Sequence, residues 1–572
     1  MRKISLLLGT MLALTGCWNF DGADPGQNGN NNSPYNGMVL SIPQSAEREV
    51  DLLFVIDNSG SMAGEQQTLR ANFPALMAEL RSMAGGLPSL HLGVTSTDLG
   101  TGMFQITRCE EMGGDAGALL TGACPNPTGA PYIIDVEPQS CEITKLPNGT
   151  CSTHNCGQAN CSHENSTTLV MDAATGCPRC RNYQSETLED VFSCVANVGT
   201  MGCGFEQPLE SMYKALDYAN TANSGFLRDD AFLAVVILTD EDDCSASTAQ
   251  LFDNTQTDIN STLGPLTSYR CFEFGIACDI NSRTHQGLRQ NCVPREDAGA
   301  LLHPVSRYVQ FLASLKDPSM LVVAAIAGHV TPSSSGGGLN ATIGLDESSQ
   351  PKLQFSCTNT VDGAVPGIRV FNLVDAFNDV HDLVWAYTSI CNSDYSDTLS
   401  GVGGKLSELM VSTCFPYPLD GCADVGKEFG VPLMPQTCAI NQQCLAQCEV
   451  TDIFSRGTMS EQEYDVPPCL EILSSGARAP GNTDRTIAYA NGHPNERDGM
   501  LPVPACWHIN YQPLCPGSNF TEMIVSRQTD PPPRSFTQAQ CLAIPQREEL
   551  CNDLQDNDQD CYVDLEDPDC GY

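Results

Sequence analysis

Five consecutive apolar residues, Leu52-Leu53-Phe54-Val55-Ile56, predict a strand buried on both faces. From Gln66 to Met83 the period changes. Leu69, Phe73, Leu76, Met77 and Leu80 share one helical face, with Pro74 predicting a kink or a start within that helix. Further strands are expected at Leu90 to Val94, Phe232 to Leu238, Met320 to Ala327 and Ile368 to Leu373. Helices are expected at Thr187 to Val198, Leu209 to Tyr218, Val305 to Leu315, Val384 to Ile390 and Val402 to Met410. Apolar strands alternating with amphipathic helices predict an α/β fold, doubly wound, with a mostly parallel sheet covered on both faces.

This pattern occupies residues 47–413 and is interrupted twice. Residues 101–185 carry eight cysteines and residues 245–300 carry Cys271, Cys278 and Cys292. Loops this long are uncommon unless functional, and cystines would order them. Residues 414–548 lose the alternation and read as small disulfide-rich units, mostly β. Residues 549–572 form a separate acidic tail. Residues 17–46, rich in Gly, Asn, Pro and Asp, read as a flexible tether.

The 572 residues are 41% hydrophobic, enough for a real core. Asp and Glu number 69 against 28 Lys and Arg, which argues against nucleic acid as a partner. Such a surface attracts cations and basic partners, although solubility alone would also explain it. Arg2 and Lys3 precede an apolar run, Ile4 to Leu14, that ends in Leu14-Thr15-Gly16-Cys17. These residues resemble the bacterial lipobox. The resemblance implies cleavage after residue 16 and acylation of Cys17; the alternative is an ordinary signal peptide with a chance cysteine. Trp18, where the family uses Asp for inner-membrane retention, implies an outer-membrane lipid anchor, periplasmic or surface-exposed.

Setting Cys17 aside, 28 of the 29 cysteines remain, an even number suited to disulfides in an oxidising compartment. The alternative is a zinc or redox site built from Cys151, His154, Cys156, Cys161, His163, Cys177 and Cys180.

The strongest chemical signal is Asp57-Asn58-Ser59-Gly60-Ser61, directly after a buried strand and before a helix. Ligands of open parallel sheets bind outside the carboxyl ends of the strands. One carboxylate with two hydroxyls suits Mg2+, which keeps several waters, and Mn2+ or Ca2+ could replace it. Asp240 ends a second apolar strand within Thr239-Asp240-Glu241-Asp242-Asp243. Helix capping is the plain alternative for one such turn.

Together, Val50 to Met62 and Val235 to Asp243 resemble a von Willebrand factor type A (vWA) domain with a metal-ion-dependent adhesion site. The resemblance spans residues 47–413 less the insertions. It implies a Rossmann-like fold and assigns Asp57, Ser59, Ser61 and Asp240 as ligands. The family's Thr falls on Thr200, or Glu206 takes its place; Glu241 stands where Gly is common. The resemblance also implies cooperative binding, with the metal bridging to an acidic residue of a protein partner.

In the tail, Asp556, Asp558, Asp560, Asp564 and Asp567 fall at positions one, three, five, nine and twelve of a loop, with Tyr562 at seven. This spacing resembles an EF-hand-type or thrombospondin-type-3 calcium loop, although Cys561 replaces the turn glycine. No His-Glu-x-x-His, Gly-x-Ser-x-Gly or phosphate-binding loop is present, so the chain reads as a binder and not an enzyme. The alternatives are a metal-independent envelope or appendage component, and a metal-dependent exported hydrolase.

Overall fold

The computed structural model describes residues 37–43 and 48–410, apart from 84–85, 140–141, 146–150, 155–158, 165, 173–174, 230, 298, 335–336, 360–362 and 379–381. Beyond these it describes seven strand segments between residues 448 and 542. Cys17, residues 549–572 and most of residues 414–548 therefore lie outside the described residues.

The largest sheet has eight strands: β1 (Glu49–Ile56), β2 (Ser89–Ser96), β3 (Ile133–Val136), β4 (Thr168–Met171), β5 (Pro178–Arg181), β6 (Phe232–Leu238), β7 (Leu321–Ala327) and β8 (Tyr387–Ser389). Their order is β8-β7-β6-β1-β2-β3-β5-β4. From β8 to β2 neighbours are parallel, and from β2 to β4 they are antiparallel. The chain leaves β1 for β2 on one side and later returns to place β6 on the other, so strand order reverses between β1 and β6.

Helices cover both faces, and alternation along β1 decides which residues meet them. Val50, Leu52, Phe54 and Ile56 pack with α1 (Ala63–Ser82), α2 (Leu188–Val195) and α6 (Ser396–Met410). Leu53 and Val55 pack with α3 (Pro208–Leu216), α4 (Val305–Leu315) and α5 (Ile368–Asp375). Phe54 and Phe73 both meet Phe192 on the first face, with Phe73 and Phe192 stacked at 3.8 Å.

Four expectations are corrected. Residues 368–375 are helix α5, not a strand; Ile368, Val370, Leu373 and Val374 are its buried apolar residues, and the run had the β-branched composition of a strand. Residues 383–390 are a single turn, Leu383–Ala386, followed by edge strand β8, not a closing helix. The helix α1 begins at Ala63, so it does not start at Pro74, which lies inside it. Gly37–Pro43, read as the end of a tether, pairs antiparallel with Phe536–Leu542. Its apolar run Met38-Val39-Leu40 sits among Gly and Asn residues that masked a short strand.

The first insertion is also more than cystine-ordered loop, since it supplies β3, β5 and β4. Asp135 on β3 is fully buried and accepts from Arg179 (2.6 Å), Arg181 (2.9 Å) and the Tyr183 hydroxyl (2.6 Å).

Candidate metal centre

Strands β1 and β6 run parallel with Ile56 opposite Leu238, so Asp57 and Thr239 leave the sheet side by side at its carboxyl edge. The Asp57 N–H donates to the Leu238 carbonyl at 2.9 Å, extending the pairing one residue. This edge lies at the reversal of strand order, where open α/β sheets form their crevice.

The side chains then converge. Asp57 Oδ1 accepts the Ser59 N–H at 2.7 Å, an Asx turn that folds the serines back over the carboxylate. Asp57 Oδ2 accepts the Thr239 hydroxyl at 2.8 Å. The Ser59 and Ser61 hydroxyls are 3.4 Å apart, and the Ser61 side chain acts on the Asp240 carboxylate, holding its carboxyl lower than burial alone would. Behind the loop, Gln66 Nε2 donates to the carbonyls of Asp57 and Gly199, each at 2.8 Å, locking α1 to both loops. Asp57, Ser59, Ser61 and Asp240 thus occupy one place.

More carboxylates gather here than two. Glu206 is buried, and the charges of Asp57, Glu241 and Asp240 act on it. Glu65, on the first turn of α1, is buried; its Oε1 accepts from Asn359 at 2.9 Å and its Oε2 has no partner. Thr200 is half-exposed beside Gly199. Of the two candidates for the fifth position, Glu206 is therefore the one in charge contact with the aspartates.

Burial and like charge push these groups the same way. Asp57 is raised above the usual carboxylate range, chiefly by burial and further by Glu65, against hydrogen bonds from Ser59 and Thr239. Asp240 is pushed up to about 7 by burial and then by Asp57. Glu241 rises to about 8 by burial, then Asp240 and Asp57. Glu206 rises well above its ordinary value, again chiefly by burial. Among the described residues, none of Asp57, Glu65, Glu206, Asp240 or Glu241 forms an ion pair. Hydrogen bonds to a charged group contribute about 1.5–3 kcal/mol each. Holding an uncompensated charge in the interior costs several kcal/mol per ion. The cluster therefore needs protons or an external cation.

The residues fit a hard divalent cation. The donors are all oxygen, and Asp240 Oδ1 is buried with no partner. Among the described residues no three His, Cys, Asp or Glu side chains form a ready-made metal-ligating group, so hydroxyls complete the set here.

The site has a rim from the first insertion. The Cys109–Cys203 disulfide ties the loop after β2 to the loop before α3. Asp98 Oδ2 accepts the Cys203 N–H at 3.1 Å, a second tie. Gly202 donates to the Asn58 carbonyl at 2.8 Å and packs so closely that a Cβ there would fall 2.0 Å from Asn58 Oδ1. Arg108, next to the cystine, extends its guanidinium against Gly60; a Cβ on Gly60 would lie 2.9 Å from Nη1. Its φ of 67° is unusual for a non-glycine residue and costs about 1–3 kcal/mol.

The zinc or redox alternative is resolved in favour of cystines at the described positions. Cys161 bonds Cys180, and Cys177 is disulfide-bonded, so Cys177 and Cys180 are not a reactive pair. Further disulfides join Cys124 to Cys194, Cys244 to Cys271, Cys278 to Cys292, Cys357 to Cys391 and Cys448 to Cys541. Among the described residues no helix is long and apolar enough to cross a membrane. The candidate calcium residues Asp556, Asp558, Asp560, Tyr562, Asp564 and Asp567 lie outside the described residues.

Sequence reasoning missed Glu65, Gln66 and Arg108 at this site. Gln66 had a signal, since a polar residue on the buried face of a helix needs partners. Arg108 had none, because only a long-range disulfide brings it there.

Neither a family model nor a curated protein sequence matches the chain. Among solved structures, the pilus adhesin SpaC from Lactobacillus rhamnosus GG is similar at 10% identity, over 87% of this chain and 40% of that one, with a TM-score of 0.26. Its open conformation is similar at 10% identity, over 92% and 45%, with a TM-score of 0.27. The adhesive tip pilin GBS104 from Group B Streptococcus agalactiae is similar at 8% identity, over 88% and 80%, with a TM-score of 0.22. The chain thus spans less than half the length of the two SpaC structures. At these scores the likeness carries no argument about fold or function.

Proposed function

We propose that the chain is a bacterial cell-envelope lipoprotein that binds a protein partner through a divalent cation held by a vWA domain at residues 47–413. In this reading Cys17 carries the lipid and residues 17–36 tether the domain to the outer membrane. Asp57, Ser59, Ser61 and Asp240 hold Mg2+, with Mn2+ or Ca2+ as substitutes, and Glu206 replaces the family's Thr. A cation bound there supplies positive charge and an open coordination position for a carboxylate of the partner. The chain's own groups do the rest: Thr239 and Ser59 orient Asp57, and Gln66 fixes the loop backbone. The reading is of a binder in adhesion or surface assembly, not an enzyme.

One observation carries it. Five acidic side chains at the carboxyl edge of the sheet act on one another's charge, and among the described residues none forms an ion pair, although buried acids elsewhere in the domain do. The test is a pull-down from envelope extract with wild type and Asp57→Ala, each with Mg2+ and with EDTA. Proteins retained only by metal-loaded wild type are expected. Equal retention in all four samples would favour the metal-independent assembly component instead.

A further inference from the structure

We infer that Arg108 is a partner-binding residue, taking a second acidic side chain from the same protein segment whose first acidic side chain reaches the cation at Asp57, Ser59, Ser61 and Asp240. This assignment rests on the metal-dependent reading above and adds a second point of contact to it.

Position comes first. The Arg108 guanidinium lies against Gly60, the residue between the two serines, so it borders the cation site directly. The side chain is exposed. Glycine at position 60 leaves the room, since a Cβ there would press on Nη1 at 2.9 Å.

Charge comes second. Every other described arginine from Arg48 to Arg369 donates at least one hydrogen bond within the chain. Arg108 alone has no hydrogen bond or ion pair among the described residues. With 69 acidic side chains against 28 basic ones, a guanidinium without an acid is the exception. A planar guanidinium takes a carboxylate through two parallel N–H bonds, which suits it to a second acid.

The backbone supplies the third observation. Arg108 holds a left-handed φ of 67°. Cys109 beside it is buried and cross-linked to Cys203, and its carbonyl accepts the Thr101 hydroxyl at 3.3 Å. The covalent tie aims the guanidinium at the metal loop and limits its freedom. Met201, 72% exposed, stands between Thr200 and Gly202 on the partner loop of the same cystine. An adaptable apolar side chain there suits a segment whose acids are flanked by apolar residues.

The test uses the full chain and labelled short peptide pools with two, one or no fixed aspartates in otherwise neutral, randomised sequence. Binding is read by fluorescence anisotropy with Mg2+ and with EDTA, and Mg2+ affinity by calorimetry. Wild type is expected to prefer the two-acid pool over the one-acid pool by roughly three- to tenfold, only with Mg2+. Arg108→Gln is expected to erase that preference while Mg2+ affinity and one-acid binding persist. Arg108→Lys is expected to restore part of it. Gly60→Ala, whose methyl displaces the guanidinium without removing its charge, is expected to weaken it.

A two-acid preference that survives Arg108→Gln overturns the assignment. A wild type that binds one-acid and two-acid pools equally in Mg2+ also overturns it, but leaves the metal-bridged reading standing. Absence of Mg2+-dependent binding to either acidic pool removes both.

Discussion

Two buried acidic centres lie on the same sheet and are built on opposite principles. At Asp135 one carboxylate is met by Arg179, Arg181 and the Tyr183 hydroxyl, so charge is balanced within the chain. Asp51 with Arg228, Asp243 with Arg369 and Glu210 with Arg307 follow the same plan. At the carboxyl edge, Asp57, Asp240, Glu206, Glu65 and Glu241 have hydroxyl, amide or backbone neighbours and form no ion pair among the described residues; the Lys352 charge acts on Glu241 and Arg108 borders Gly60 without pairing to any of them. The chain has the means to neutralise buried acids and does so repeatedly. At this one edge it does not, so the charge there is balanced by protons or by a cation from outside.

The sharpest way to break this comparison is to neutralise the two centres in turn. Asp135→Asn leaves Arg179, 3% exposed, with only Glu137 at 3.7 Å as a charge partner, and is expected to cost about 3–5 kcal/mol in urea unfolding. Its Mg2+ affinity should match that of wild type. Asp57→Ala should behave the other way round. It is expected to lower Mg2+ affinity by more than about 100-fold, beyond the effect of removing an outer-shell partner, with calorimetry as the readout.

Dependence on pH follows from the direction of the shifts. The Asp240 carboxyl is raised from 3.8 to about 7 in the folded, metal-free chain. Between those values the folded state holds a proton that the unfolded state has released. The Asp240 contribution to stability without metal should therefore fall as pH rises from about 4 to about 7, and Glu241, pushed up to about 8, carries the fall further. A cation must displace that proton. Mg2+ affinity should thus rise over the same window, by at most about tenfold per pH unit for each proton displaced, as calorimetry at stepped pH would record.

The smallest expected effect has the most telling sign. Asp240→Asn removes a buried acid that already lacks a counter-charge, so in EDTA it should raise stability by about 1 kcal/mol or leave it unchanged. Asp135→Asn under the same conditions should lower it. Thermal melts of both variants decide whether the two centres differ.

Much of this edge was legible in the sequence because its main residues follow long apolar runs directly. Leu52 to Ile56 and Phe232 to Leu238 lie within β1 and β6, and Asp57 and Asp240 follow their ends by one and two residues. Parallel pairing between those strands then brings the aspartates together. Short or mixed segments were harder. Ile133–Val136 is only four residues and carries a buried aspartate, so no periodicity marked it as a strand. In residues 368–375, buried Arg369 obscured the apolar face of the helix; its Nε pairs with Asp243 at 3.0 Å. Glu65 and Glu206 looked like two acids among 69, since only tertiary contact separates them from the rest. Arg108 reaches Gly60 through a cystine spanning 94 residues, a relation that local pattern does not contain.

The central claim is that the acidic edge takes a divalent cation, and a metal titration tests it most directly. Mg2+ is added at neutral pH to metal-free full-length wild type and Asp57→Asn, with heat and proton release recorded together. Wild type should bind one equivalent more than the variant and release protons as it does so. Identical stoichiometry and identical proton release in the two proteins would contradict the account.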